Sequence, residues 1–124
     1  FHDDVLMMRM LASTGRSSDV FFVISHTGRT KEVIEISEIA VDKGSTVIAL
    51  TSPGSPLSSI CSISLEVNVP ENTDEYMAMT SRIAHLVLLD VVATGFTLRQ
   101  GPDFLSHLEK IKSSLKPTRL SKDK

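Results

Sequence analysis

The stretch that decides the fold is Val20-Phe-Phe-Val-Ile-Ser-His-Thr-Gly-Arg-Thr30. Its first five residues are β-branched or aromatic, which is typical of a strand buried on both faces inside a parallel sheet. The polar residues that follow predict a turn, and Gly28 permits the positive φ or the close backbone approach that such a turn requires. Apolar residues then recur at helical spacing as far as Gly44, which predicts a helix with a glycine stop. The turn therefore lies between a strand and a helix, where open α/β sheets bind ligands.

The hydroxyls of this turn favour an anion as the ligand. Ser25, Thr27 and Thr30 each bring a hydroxyl that can donate a hydrogen bond to a phosphate oxygen. The backbone N–H groups at the start of the helix and the positive end of its dipole face the same turn. These features together predict an anion site at residues 25–30.

The charged residues around the turn leave a second interpretation open. Arg29 and Lys31 are cations at the unfavourable end of a helix, each costing about 0.3–1 kcal/mol against the dipole. A bound anion would reverse that cost. Alternatively, the turn is a plain hydroxyl cap in which Glu32 and Glu35 offset the two cations. Spacing alone does not separate the anion site from the plain cap.

A second strand and a second polar turn follow the same plan. Residues 46–51 predict another buried strand, and the next five residues are Ser-Pro-Gly-Ser-Pro. Pro56 suits the first position of a short helix, with Ser55 as its N-cap. Because neighbouring parallel strands place such turns side by side, we expect Thr51, Ser52 and Ser55 to face the first turn across one crevice. The alternative is a rigid loop whose serines only cap the helix.

The remaining elements predict one sheet edge and two further helices. Residues 63–69 alternate between apolar and polar side chains, which indicates a strand at or near an edge. The predicted helix from about Asp74 to Leu98 is apolar on nearly every side and must be covered all round, most simply by a second copy of the chain. His85 in this helix is better explained as a core or interface histidine than as a ligand contact. A last helix opens at Gly101, and residues 116–124 form a basic tail that we expect to be disordered.

Length and composition exclude several classes of protein. The 124 residues are enough for one domain, and a net charge of −2 does not favour a nucleic-acid-binding face. Cys61 is the single cysteine, no pattern of metal ligands occurs, and no cofactor is predicted. The apolar region from Ile83 to Leu98 is interrupted by His85 and Asp90 and is too short and too polar to span a membrane. We therefore expect a cytoplasmic protein.

Three motifs carry a resemblance to a known family. The run Ile24-Ser-His-Thr-Gly-Arg-Thr-Lys-Glu32 resembles the phosphosugar-binding turn of sugar isomerase (SIS) domains. Together with Thr51-Ser-Pro-Gly-Ser-Pro-Leu57 and Met79-Thr-Ser-Arg-Ile-Ala-His85, it resembles the effector domain of RpiR-type transcription regulators, and within them HexR-type repressors. The resemblance implies a three-layer αβα sandwich with a parallel, flavodoxin-like sheet over residues 1–115. It also implies an N-terminal truncation, with the first βα unit and a helix-turn-helix domain absent.

The resemblance also implies a ligand, a site and a mode of action. A phosphate is expected at Ser25, Thr27 and Thr30 and at the backbone of Gly28 and Arg29, and further contacts are expected from Thr51 and Ser52. His26 departs from the glutamine or glutamate often found at its position. The implied function is sensing of a phosphorylated sugar or sugar acid, 2-keto-3-deoxy-6-phosphogluconate above all, by a homo-oligomer that contacts DNA only through the absent domain.

An isomerase is the alternative function. Isomerisation of a sugar phosphate requires a base, and Glu71, Glu75, His26 and His85 are the only candidates near the strand ends. No motif identifies any of them as a base, so a sensing domain is favoured. A purely structural dimerisation module would leave the clustered hydroxyls without a role.

Overall fold

The computed structural model describes residues 4–70 and 79–115 and contains eight elements in these ranges. In chain order they are α1 (Val5–Thr14), β1 (Val20–Ser25), α2 (Lys31–Asp42), β2 (Thr46–Thr51), α3 (Pro56–Ile60), β3 (Ile63–Glu66), α4 (Thr80–Arg99) and α5 (Gly101–Leu115). The chain divides into two compact units, Phe1–His85 and Leu86–Lys124. The first unit contains the sheet and the candidate site.

The sheet is parallel and has the strand order β1-β2-β3. Val20 pairs with Thr46 and Ser25 with Thr51, so the carboxyl ends of β1 and β2 lie at the same height. Crossovers between parallel strands are almost always right-handed, so this order places α2 and α3 on one face of the sheet. The predicted parallel α/β arrangement is confirmed, and the shared register brings the two polar turns to one edge.

The core lies between β2 and the helices on that face. Ala12 of α1, Ile36 and Ala40 of α2, and Val47 of β2 form a buried cluster. Phe21 and Val23 of β1 pack against this cluster. Alternate side chains of a strand point to opposite faces, so these two residues show which face of β1 meets the helices.

One expectation for β1 is wrong in the described structure. The run of residues 20–24 predicted burial on both faces, yet Val20, Phe22 and Ile24 are exposed. The physical reason is that α1 and α2 pack on the face of Phe21 and Val23, and no described element covers the opposite face of β1. The central strand β2 is the one whose interior is buried, at Val47, Ala49 and Leu50. β3 lies at an edge, as its alternation predicts.

The helix cap predicted at Ser55 is confirmed, and α1 has a cap of the same kind at Asp4. Asp4 accepts hydrogen bonds from the backbone N–H groups of Leu6 at 2.9 Å and Met7 at 3.2 Å. Ser55 accepts one from the backbone N–H of Ser58 at 3.2 Å, and Pro56 occupies the first position of α3. These contacts satisfy N–H groups that a helix leaves without partners at its start.

The helix α4 differs from its prediction in one respect. At 20 residues it is long and apolar enough, by length and composition alone, to cross a membrane. The prediction that the apolar region from Ile83 to Leu98 is too short and too polar to do so is therefore wrong. One such helix is weak evidence, because a core helix of a soluble protein passes the same test. The predicted start of this helix at Asp74, and the predicted tail at residues 116–124, lie outside the described residues.

An ion pair joins α1 to α2 and leads to a prediction on pH. Arg9 donates a hydrogen bond of 2.7 Å to Glu35, and this bond, with the charges of Arg9 and Lys31, holds the pKa of Glu35 below its ordinary value. Because the pKa of Glu35 is lower in the folded than in the unfolded chain, the ionised carboxylate stabilises the fold at pH values above its unfolded pKa of about 4.3. This stabilisation is lost as the pH falls through the lowered pKa of the folded state. We therefore expect Glu35→Gln to be less stable than wild type at pH 7, with the difference vanishing in acid.

Urea denaturation at pH 7 and at low pH measures this difference. The matched control is Glu38→Gln, on the same helix, where no ion pair is formed within the described residues. A stability difference for Glu35→Gln that is the same at both pH values would contradict the assignment.

Candidate functional site

The candidate site is the turn between β1 and α2. Its backbone is closed by a hydrogen bond of 3.1 Å from the N–H of Gly28 to the carbonyl oxygen of Ser25. Gly28 has a φ of +59°, a left-handed conformation that glycine adopts without steric cost. The sequence prediction of a glycine with positive φ is confirmed.

The turn carries three hydroxyls with unused capacity to donate a hydrogen bond. Ser25 is only 9% exposed, yet its hydroxyl has no partner among the described residues. Thr27 is exposed, and its Oγ1 accepts a long bond of 3.4 Å from the backbone N–H of Arg29, which leaves its own hydrogen free. Thr30 occupies the N-cap position of α2 and is exposed.

The start of α2 has no side-chain cap, unlike the starts of α1 and α3. Thr30 makes no capping hydrogen bond, whereas Asp4 and Ser55 both cap their helices. The first four N–H groups of an α-helix have no partner within the helix. The plain-cap interpretation of this turn therefore finds no support at Thr30, and the helix start keeps donors that an anion can accept.

The charges beside the turn also favour an anion. The carboxylate of Glu35 lies 2.7 Å from Arg9 and 3.8 Å from Lys31, so it is held mainly by the cation of another helix. The side chain of Lys31 is 84% exposed. Arg29 is exposed as well and forms no ion pair with a described residue. Among the described residues, only part of the positive charge at the helix start is therefore neutralised.

The second turn, between β2 and α3, is bonded directly to the first. The backbone N–H and the hydroxyl of Ser52 both donate to the carbonyl oxygen of His26, at 2.8 and 2.6 Å. The backbone N–H of Leu57 donates to the carbonyl oxygen of Gly28 at 3.2 Å. The expectation that the two turns meet at one edge of the sheet agrees with these bonds.

Thr51 and Ser52 face the first turn as expected, and both hydroxyls have partners within the protein. Thr51 has no exposed surface, and its Oγ1 lies 3.0 Å from Oγ of Ser55. Ser52 is half-buried, and its single hydroxyl hydrogen is directed at His26. In the described structure both hydroxyls are therefore engaged with the protein rather than open to a ligand.

Ser55 faces the first turn, as the sequence predicted, and also caps α3. A Cβ placed on Gly28 would lie 2.4 Å from Oγ of Ser55 and 2.5 Å from Oγ1 of Thr51. The glycine therefore lies directly against the paired hydroxyls of the second turn. The shared register of β1 and β2 indicated that the turns are neighbours, but no sequence signal indicated which atoms meet.

Two histidines lie together beside the turn. The ring centroids of His26 and His85 are 5.6 Å apart, and His85 is buried, as expected of a core histidine. The Nδ1 atom of His26 is buried and has no partner among the described residues. Arg82 is exposed, and Glu71 and Glu75 lie outside the described residues.

The fold agrees with what comparison with known proteins shows. The profile of the SIS domain family matches residues 1–95, and the chain belongs to this family. It is 52% identical over 120 residues to the HTH-type transcriptional regulator HexR of Pseudomonas aeruginosa, covering 97% of this chain and 42% of that protein. It is 44% identical over 122 residues to HexR of Escherichia coli strain K12, covering 98% of this chain and 42% of that protein.

A solved structure shows the same fold. The NanR protein of Vibrio vulnificus, complexed with ManNAc-6P, superposes with a TM-score of 0.84 at 28% identity, over 97% of this chain and 46% of that one. The predicted fold class and the predicted resemblance to HexR-type regulators are confirmed. The chain spans about two fifths of the length of the curated relatives it matches.

Proposed function

We propose that this chain is the effector-sensing domain of a transcription regulator and that it binds a phosphorylated sugar or sugar acid at the turn of residues 25–30. The observation that carries the proposal is the uncapped start of α2, which lies beside three hydroxyls with unused donor capacity. The relatives support it, because they are named as transcriptional regulators and the NanR structure contains a phosphosugar.

The proposed phosphate site uses three kinds of donor. The hydroxyls of Ser25, Thr27 and Thr30 donate to phosphate oxygens, and hydrogen bonds to a charged group contribute about 1.5–3 kcal/mol each. The free N–H groups at the start of α2 add further donors, and the helix dipole favours the negative charge. Arg29 and Lys31 supply the countercharge. The backbone N–H of Arg29, which makes only a long bond of 3.4 Å to Thr27, completes the proposed contacts. The N–H of Gly28, also expected there from the sequence, is instead bonded to the carbonyl oxygen of Ser25.

The proposed effector is 2-keto-3-deoxy-6-phosphogluconate. This choice rests on the similarity to HexR-type repressors, at 52% and 44% identity. It also agrees with the charge of the site, since a sugar acid adds a carboxylate to the phosphate and two exposed cations flank the turn. The signal is passed to a helix-turn-helix domain outside this chain. The net charge of this chain itself is −2, which does not favour a DNA-binding face. A regulator of this kind acts in the cytoplasm.

Calorimetric titration of the intact protein tests the proposal. We expect 2-keto-3-deoxy-6-phosphogluconate to bind and its dephosphorylated form to bind about a hundredfold more weakly, because the phosphate accounts for several charged hydrogen bonds. We also expect the phosphorylated compound to change the retention of operator DNA by the intact protein. Equal affinity for the two forms would overturn the phosphate site.

The alternative function, a phosphosugar isomerase, is separated by an activity assay. Within the described residues the two candidate bases are His26 and His85. The Nδ1 atom of His26 is buried, and His85 is buried as a whole residue. We expect no interconversion of aldose and ketose phosphates by the intact protein. Turnover that is abolished by His26→Asn would establish the enzyme instead.

Self-association through α4 is a further part of the proposal. Seven large apolar side chains of this helix are exposed, among them Leu86, Val87 and Val91. Burial of apolar area stabilises by about 25 cal/mol per Å², so a second copy that covers this helix is favoured. We expect sedimentation to show a dimer or higher oligomer at tens of micromolar, roughly the weak end of stable association. A monomer at that concentration would contradict the prediction.

A further inference from the structure

We propose that Ser52, Thr51 and Ser55 are positioning residues that orient the backbone of the anion-binding turn without contacting the ligand themselves. They hold the carbonyl oxygen of His26 on the side of the second turn, where the N–H of Leu57 also holds that of Gly28, so that N–H groups of the turn face the other way. This inference rests on the proposed function, because it explains how the turn comes to present donors to an anion.

The first step of the argument is where the carbonyl groups point. The carbonyl oxygen of His26 accepts from Ser52 twice, at 2.8 and 2.6 Å, and that of Gly28 accepts from Leu57 at 3.2 Å. All three donors belong to the second turn or to the start of α3. Two carbonyl oxygens of the first turn are thereby directed at the protein, where their partial negative charge does not oppose an anion.

The second step is the consequence for the N–H groups. No described peptide bond is cis. In a planar trans peptide the C=O and the following N–H point in opposite directions. Holding the oxygen of His26 therefore turns the N–H of Thr27 away from the second turn, and holding the oxygen of Gly28 does the same for Arg29. The N–H of Gly28 between them is bonded to Ser25, and that of Arg29 makes only a long bond of 3.4 Å to Thr27. N–H groups that face one side of a turn form a concave anion site.

The third step is a chain of hydroxyls with one consistent direction. The backbone N–H of Ser58 donates to Oγ of Ser55 at 3.2 Å, and Ser55 lies 3.0 Å from Thr51. Thr51 Oγ1 lies 3.5 Å from the carbonyl oxygen of His26, to which it can donate. Because each hydroxyl has a single hydrogen, donation by Thr51 to His26 leaves Ser55 as the donor in the bond between Ser55 and Thr51.

The close approach of Gly28 completes the arrangement. A Cβ at this position would come within 2.6 Å of three side-chain atoms of Ser55 and Thr51, so only glycine lets the turn lie against the hydroxyl pair. Ser55 and Thr51 therefore pack against the turn at Gly28, and Thr51 also lies within reach of the carbonyl oxygen of His26. Ser55 and Thr51 are 6% and 0% exposed, which keeps both hydroxyls out of reach of a ligand.

The test compares Ser52→Ala and Thr51→Val with a matched control in the intact protein. Ser58→Ala is that control, because Ser58 is also half-buried and its hydroxyl also donates to a backbone carbonyl, that of Ser55 at 2.7 Å. Inorganic phosphate and 2-keto-3-deoxy-6-phosphogluconate serve as probes. We expect Ser52→Ala and Thr51→Val each to weaken binding about three- to tenfold, as expected for one hydrogen bond, and Ser58→Ala to be silent.

Two readouts distinguish positioning from a purely structural role. We expect the ¹H–¹⁵N shifts that phosphate induces at Thr27 and Arg29 to shrink in Ser52→Ala, while the melting temperature changes little. We also expect Ser52→Thr and Thr51→Ser, which keep the hydroxyl, to restore affinity. An affinity that falls only in proportion to the folded fraction would overturn the inference.

The failure of this inference can be told from failure of the proposed function. If Ser52→Ala and Thr51→Val bind normally while Ser25→Ala binds weakly, the positioning role is wrong and the phosphate site stands. If wild-type protein binds neither inorganic phosphate nor the phosphosugar, the site itself is wrong, and the positioning role falls with it.

Discussion

Replacing Gly28 with alanine is expected to abolish ligand binding and to lower the free energy of unfolding by about 2–5 kcal/mol. A left-handed conformation costs a residue with a Cβ about 1–2 kcal/mol. Overpacking against buried atoms adds about 1–3 kcal/mol, and here the new Cβ would lie 2.4 Å from Oγ of Ser55. Because the clash can be relieved only by separating the two turns, the donors of the anion site are expected to be displaced. Urea denaturation and calorimetric titration measure the two effects.

Gly54 provides a matched control for this substitution. It also has a positive φ, +65°, but no atom lies within 4 Å of where its Cβ would be. Gly54→Ala therefore carries the conformational cost alone, and we expect it to retain ligand affinity and to lose only about 1–2 kcal/mol of stability. If Gly28→Ala and Gly54→Ala had equal effects on stability and binding, the contact of Gly28 with the hydroxyl pair would be irrelevant.

Ser25→Ala and Thr30→Val are each expected to weaken binding of the phosphosugar by roughly tenfold to a hundredfold, since a hydrogen bond to a charged group contributes about 1.5–3 kcal/mol. Neither hydroxyl has a partner among the described residues, so their removal breaks no contact that stabilises the fold. We therefore expect the melting temperature of both variants to stay close to that of wild type. Calorimetric titration of the intact protein measures the affinity.

The control for these two variants is Ser58→Ala, on the neighbouring helix α3, which we expect to bind normally. Ser58 donates its hydroxyl within its own turn and lies outside the proposed phosphate site. Unchanged affinity in both Ser25→Ala and Thr30→Val, with the fold intact, would disprove the assignment of the phosphate to this turn.

The amino-acid sequence by itself determined the features that depend on neighbours along the chain. The strand, turn and helix around residues 20–44, the positive φ of Gly28, and the cap at Ser55 were all predictable. Each depends on side-chain periodicity, on the absence of a Cβ, or on an oxygen within a few residues of the N–H group that it accepts from. Such contacts are local, so a single stretch of sequence contains all the atoms that decide them.

Only the tertiary structure decided the features that depend on two distant segments. The sequence placed Thr51 and Ser52 near the ligand, whereas the described structure directs both hydroxyls into the protein. The sequence also predicted burial of both faces of β1, whereas Val20 and Ile24 are exposed in the described structure. A hydroxyl has one hydrogen and rotates freely, so its partner is whichever acceptor the packing of the strands brings within reach. That choice is made by the register of β1 and β2, and the sequence of either turn alone does not contain it.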